Sequence, residues 1–486
     1  MSTLVELLED CRPADLDRAI PMIQRLHAWL GEAAYADCDK AGFAERTLAL
    51  ARDPRFDAEA RLTLAGDVLD ACAMCGLPVA DADHAELGRL ARAALGEVAA
   101  FVRHRGEAAD ARVMRRHTLF PGVLGDEDEP STRGFVEYTA ALAGETANEA
   151  VDVWVRGEVS PQLGRYIAGR LGPALDRVRV FAIDRQPDYL AHLLQQGPRT
   201  SHFWRESPLA VDISLFALVG PTLMLAQGES PPLQHADVYW SAREAGHVEP
   251  SWRRRGAPEP FVANYVQTAA VPYRAPPWQA GSREELGLSQ DKLVIATAGD
   301  RLGADFDQAF VDGMGGFLLA DPQRRWLVAG PLPDFWVSAF QQVLGPQFVH
   351  LPEGGGWAGA ADLFAVPFGA GGAPPAIAAV EAGAVLLTRG DFGDAAAFAP
   401  DAHRADGAEA YFDRLDQLAA DPALRQAWAA EQRAWVARRT DPALFATELG
   451  AMVELAWKRY RARLPASLEE VLALRPPGLS SLRGRA

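Results

Sequence analysis

Apolar residues recur every three to four positions through roughly the first hundred residues, and then the period changes. "DLDRAIPMIQRLHAWLGEAA", "FDAEARLTLAGDVLDACAMC" and "DHAELGRLARAALGEVAAFVRHRG" all carry helical spacing, so residues 1–108 are expected to form a small all-helical domain. Beyond it, short apolar runs alternate with amphipathic stretches. "RRHTLFPG", "VDVWVRG", "VRVFAID" and "VDISLFALVG" read as buried strands, with helices over about Arg133–Leu142 and "SPQLGRYIAGRLG" between them. A proline-broken region then leads to the linker-like "RAPPWQAGSREELG". The alternation resumes with strands in "KLVIATAG", "RRWLVAGP", "FVHLP" and the run "FAVPFGAGGAPPAIAAVEAGAVLLTRGD", and it closes on two amphipathic helices. Strands alternating with helices predict parallel sheets covered on both faces. The expected class is therefore α/β, with two doubly wound units at 109–274 and 275–455 after the helical domain and a C-terminal helix and tail over 456–486.

Composition narrows the partners. The chain has 486 residues, with 48 Lys plus Arg against 65 Asp plus Glu. That acidic field repels polyphosphate backbones, so nucleic acid is not an expected partner. No run approaches the roughly twenty apolar residues that cross a bilayer, and "MSTLVELLEDCRPADL" has acids where a secretory signal has bases. The expectation is a cytoplasmic protein without an integral membrane segment. All four cysteines fall early, at Cys11, Cys38, Cys72 and Cys75. A single CxxC inside helical spacing reads as buried structural thiol rather than as a metal site.

The chemistry concentrates in the second unit. Gly369, Gly371 and Gly372 sit between an apolar strand and a helix, where close backbone approach and a positive helix end suit phosphate. Pro374 and Pro375 fit a first helical turn, but each removes an amide donor. Arg301 lies just past the strand ending in Gly299 and could pair bidentately with a diphosphate. In the first unit, His117 and the acidic run Asp126, Glu127, Asp128 and Glu129 are candidates for the general base of a hydroxyl acceptor.

Taken together, "GDRL" at 299–302, "AADLFAVPFGAGG" at 360–372 and "AAVEAGAVLLTRGD" at 378–391 resemble bacterial glycosyltransferases of the GT-B type. The resemblance covers about 275–450 and extends more weakly to "HTLFPGVLGDEDEPSTRGFVEY" at 117–138. It implies two facing Rossmann-like domains, with the acceptor on the first and a nucleotide-sugar co-substrate, UDP-linked in its expected form, on the second. It further implies that Gly299, Asp300 and Arg301 meet the donor diphosphate and that Gly369, Gly371 and Gly372 hold phosphate. Glu381 is then expected at the ribose hydroxyls, and Gly330, Phe368 and Ala376 complete the donor site. On the acceptor side, His117 and Asp126 are the expected catalytic pair. Neither a bound cofactor nor a metal is expected. This chain departs from the pattern at Pro374–Pro375, where many relatives carry a small hydroxyl residue, and at Ala373, where one large retaining group carries an acid. A helical addition like 1–108 also occurs in some cytoplasmic protein glycosyltransferases, so a protein side chain or a glycan is the expected acceptor. Two rival readings share the fold: a nucleotide-sugar epimerase, and a non-catalytic protein-binding module with a degenerate donor site. A nicotinamide dehydrogenase does not fit, for want of a GxGxxG followed by an acid about twenty residues on.

Overall fold

A computed structural model describes residues 116–463 apart from 123, 126–128, 146–149, 157–158, 184–198, 205–219, 227–235, 274–282, 300–301, 353–354, 369–371 and 391–392, together with residues 49 and 52–55. The expected helical domain and its cysteines therefore lie outside the described residues, as does most of "VDISLFALVG".

The first half contains β1 (Arg116–Gly122), α1 (Pro130–Glu145), β2 (Ala150–Arg156), α2 (Pro161–Leu171), β3 (Val178–Ile183), β4 (Thr200–Phe203), β5 (Thr222–Leu225), β6 (Val238–Ser241), α3 (Ala245–Arg254) and β7 (Tyr265–Gln267). Its strands form one seven-stranded sheet in the order β3-β2-β1-β4-β5-β6-β7, and every pairing is parallel. The composition of β2 shows why. Val151, Val153 and Val155 are buried on one face, and Asp152 and Trp154 on the other, so neither face meets water. The helices carry their own stop signals. In α2 the Ser160 hydroxyl accepts from the Leu163 amide at 3.1 Å, Pro161 opens the first turn, and Gly172 at φ +50° ends it.

The second half contains β8 (Leu293–Ala298), α4 (Gln308–Leu319), β9 (Arg324–Ala329), α5 (Asp334–Leu344), β10 (Phe348–Leu351), β11 (Leu363–Ala365), α6 (Ala373–Ala382), β12 (Val385–Leu387), α7 (Ala408–Ala420) and α8 (Pro422–Arg439). Its five parallel strands run β10-β9-β8-β11-β12. Both sheets thus place their first strand beside their fourth. That arrangement is the doubly wound order, and it opens a crevice at the carboxyl ends of β1 and β4 in one half and of β8 and β11 in the other.

The last helix changes the domain boundary read from the sequence. α9 (Pro442–Arg463) packs on α1 and across β5 and β6, so it leaves the second half and completes the first. Phe445, Leu449, Met452, Val453 and Ala456 share one buried core with Leu119, Tyr138, Leu142 and Trp240. The division at residue 455 is therefore replaced by one near 441. The crossing is secured by backbone. The Val271 amide donates to the Arg439 carbonyl at 2.8 Å, and the Glu448 carboxylate accepts from the Ala269 and Ala270 amides at 2.9 Å each.

Candidate active site between the two sheets

The donor-side candidates gather where β8, β9 and β11 end. Gly330 has φ +124°, and a Cβ there would lie 1.9 Å from the Gly299 carbonyl oxygen. Its amide donates to Leu351 O at 2.8 Å, while the Gly299 amide donates to Ala329 O at 3.1 Å. These two glycines let adjacent strand ends touch, which is a packing demand before it is a binding one. His350 donates from Nε2 to the Gly330 carbonyl at 2.9 Å, which fixes its tautomer at that turn.

Phe368 and Ala376 are core residues. Phe368 is buried edge-on against Phe310 and Tyr411, and Ala376 is buried against the sheet, so any ligand contact from them is through the backbone. Gly372 is the exposed N-cap of α6 at φ −71° and ψ 144°, an extended conformation open to any residue. Because Pro374 and Pro375 lack N–H groups, Gly372 and Ala373 supply the remaining free amides of that helix start. Asp300, Arg301, Gly369 and Gly371 lie outside the described residues.

Glu381 does not join this group. It is exposed near the carboxyl end of α6, about 12 Å along the axis from Ala373 at 1.5 Å per residue.

His117 is also placed elsewhere than expected. It is the second residue of β1, at the amino end of the strand, whereas the crevice lies at the carboxyl end. Its ring is fully buried and its Nδ1 lies 3.0 Å from His202 Nε2; His202 Nδ1 in turn lies 2.6 Å from the Tyr138 hydroxyl. This is an interior polar chain that joins β1, β4 and α1. Burial, and then the charge of His117, push the His202 imidazole well below its ordinary 6.5. The unfolded chain therefore takes up a proton below about 6.5 that the folded chain does not. Stability contributed by neutral His202 is present above that pH and falls as pH drops, by about 1.4 kcal/mol per pH unit. Urea unfolding at about pH 7 and about pH 5 is expected to show this loss, with a shallower slope in His202→Asn.

Asp126 lies outside the described residues, but the end of its loop is visible at the carboxyl end of β1. The Gly125 amide donates to Thr132 Oγ1 at 2.9 Å and to Glu129 Oε2 at 3.2 Å, and the Thr132 hydroxyl donates to the same carboxylate. Glu129 is thereby tied to the start of α1.

A group absent from the sequence reading faces the second half from the end of β6. Arg243, Glu244 and His247 line a small cavity of about 20 Å³, open to solvent, together with Gly390, Gly393 and Arg404, which follow β12. Glu244 Oε1 is bound by Arg404 Nη1, and Arg243 Nε lies 3.5 Å from Asp394 Oδ1. Adjacent residues of one half thus hold an acid and a base of the other. Burial pushes the Glu244 carboxyl up, but the hydrogen bond and charge of Arg404 outweigh it and hold the group below its usual range. The signal in the sequence was a charged cluster directly after a strand, "SAREAGH". Its partners stand about 150 residues away, so spacing could not reveal them.

No protein-family model matches the sequence, and no curated protein matches it. Among solved structures, a glycosyltransferase from Rickettsia africae is similar with a TM-score of 0.50 at 9% identity, over 70% of this chain and 98% of that one. Sucrose-phosphate synthase from Thermosynechococcus elongatus follows at TM-score 0.45 and 14% identity, over 70% and 98% of the two chains. UDP-GlcNAc 2-epimerase from Neisseria meningitidis scores 0.40 at 10% identity, over 70% and 100%. The two parallel sheets and the first of these likenesses define the class of fold: two Rossmann-like domains of the GT-B type. Among the described residues, no helix is long and apolar enough to cross a membrane.

Proposed function

We propose that the protein is a glycosyltransferase that moves a sugar from a nucleotide donor, in its UDP-linked form, to a hydroxyl or amide of a protein side chain. The observation that carries this reading is the pair of doubly wound parallel sheets, joined from the end of β6 to the segment after β12 by the Arg243–Asp394 and Glu244–Arg404 pairs. A two-substrate transfer requires such a division, with the donor on one half and the acceptor on the other. In this reading the Gly372 and Ala373 amides and the positive end of α6 meet the diphosphate, a role supported by the anion preference of a helix start. Because two prolines reduce the amide count there, more of the leaving-group charge falls to Arg301.

Arg301→Ala is accordingly expected to weaken UDP binding by about 1.5–3 kcal/mol in a calorimetric titration, with the melting temperature unchanged. The reading itself is tested by incubating the protein with labelled UDP-sugars, with and without cell extract. Label transferred to macromolecules only when extract is present supports it. Isomerisation of the nucleotide sugar without an acceptor, or tight binding without turnover, overturns it.

A further inference from the structure

The transferase reading leaves one role unfilled, because an acceptor hydroxyl or amide must lose a proton as it attacks and buried His117 cannot take it. The cleft offers another imidazole. His247 is the one histidine among the described residues that line the cavity between β6 and β12, and its side chain is 48% exposed. It stands in the first turn of α3, and its Nδ1 faces Glu244 Oε2 at 4.0 Å. Glu244 is the N-cap of the same helix, and its other oxygen is bound by Arg404 from the second half. Arg404 itself is fixed: it is 6% exposed, its Nε donates to Ala399 O at 3.0 Å, and its Nη2 lies 3.0 Å from Asp401 Oδ1. Cation, carboxylate and imidazole thus follow one another across the domain boundary, ending at open space.

We propose that His247 is the general base of the transfer, with Glu244 and Arg404 as its positioning residues. This assignment rests on the transferase reading above. At 4.0 Å the pair is not hydrogen-bonded as it stands; a side-chain rotation that closed it would hold the Nδ1–H tautomer and leave the Nε2 lone pair for the acceptor proton. In the step, the acceptor oxygen or nitrogen forms a bond to the anomeric carbon of the sugar. The bond from that carbon to the diphosphate oxygen breaks, and its electron pair leaves with the nucleoside diphosphate. The acceptor proton passes to His247 Nε2, and the imidazolium later releases it to water. Ionised Glu244 stabilises that imidazolium, while Arg243, paired with Asp394, and Arg404 hold the surrounding charge. The orienting carboxylate is gripped from the other half. Acceptor activation therefore requires the two halves to be together, which protects the bound donor from premature reaction.

The test uses the full chain with labelled UDP-sugars and cell extract as the source of acceptor. His247→Ala is expected to lower transfer at least about 100-fold while UDP affinity stays within about two-fold, and added imidazole is expected to restore part of the rate. Glu244→Gln and Arg404→Gln are expected to lower kcat with little change in the KM for donor, and Arg404→Lys to retain more activity than Arg404→Gln. The product is expected to carry the inverted anomeric configuration, as a single displacement requires. If wild-type protein binds UDP-sugars but transfers none, the transferase reading and this assignment fall together. If wild-type protein transfers sugar, three results overturn the assignment alone. They are a His247→Ala rate above about a tenth of wild type, a lost rate that imidazole does not restore, and a product of retained configuration.

Discussion

Gly330→Ala is expected to cost about 4 kcal/mol or more, the range reserved for changes the structure cannot absorb. Two independent penalties coincide at this position. The backbone stands at φ +124°, outside the conformations an L side chain adopts, and the new methyl would lie 1.9 Å from a main-chain carbonyl. A flexible side chain could swing away, but Gly299 O belongs to the end of β8 and can move only with the sheet. The second half should lose its cooperative urea transition, and nucleotide binding should fail with it. A loss below about 1 kcal/mol would show that the two strand ends separate more easily than their hydrogen bonds imply. Gly372→Ala gives the contrast. The added carbon meets only the Pro374 and Pro375 rings at 3.7 Å, and φ is already ordinary. That variant is expected to fold normally, so a drop in its UDP affinity would report on the helix-start cradle itself.

The second large effect is expected from a residue far in sequence from the half it stabilises. Phe445→Ala should lower the stability of the first half by about 3–5 kcal/mol, as for a buried aromatic truncated in a core that cannot fully collapse. Phe445 is fully buried, with its ring centroid 5.9 Å from Tyr138 and 5.5 Å from Trp240, and those two rings stack at 5.6 Å and 8°. Limited proteolysis read by mass spectrometry is the suitable measurement. Cleavage should increase in β1 to β7, while peptides from β8 to α8 remain protected. Equal exposure of both halves would contradict the assignment of α9 to the first core.

The alternation of strand and helix was legible because long parallel strands are apolar throughout and helices carry a period. β1, β2, β3, β8 and β9 all fall where the sequence places strands. β4, β6 and β7 were not legible, because "TSHF", "VYWS" and "YVQ" mix polar residues into three or four positions, whereas the equally short β10, β11 and β12 are mostly apolar; what makes the former strands is their neighbours in the sheet. The close approach at the ends of β8 and β9 was legible for a related reason. Glycines at strand ends advertise a close approach, and Gly299 and Gly330 do approach closely. The same glycines could not say whether the approach serves a ligand or a neighbouring strand. His117 illustrates the opposite difficulty. Its position beside an apolar strand was correct, but sequence does not show which end of a strand faces the crevice, and two residues from the amino end is the wrong one. The Arg243–Asp394 and Glu244–Arg404 pairs had no local signature at all. Each joins residues of two separate sheets, and only the folded geometry brings them within reach.

The return of α9 to the first half also sets an order of assembly. Everything the second half needs, from β8 to α8, leaves the ribosome before Phe445, Leu449 and Met452 do. The second half can therefore close its core during synthesis, whereas the first sheet must wait for the last helix. Until then, Tyr138, Leu142 and Trp240 have no cover on the side that α9 will occupy. The nascent chain thus carries a finished second half and, on the first, an open apolar surface. Premature termination before 442 would release a molecule whose second half is complete while its first half remains unable to close.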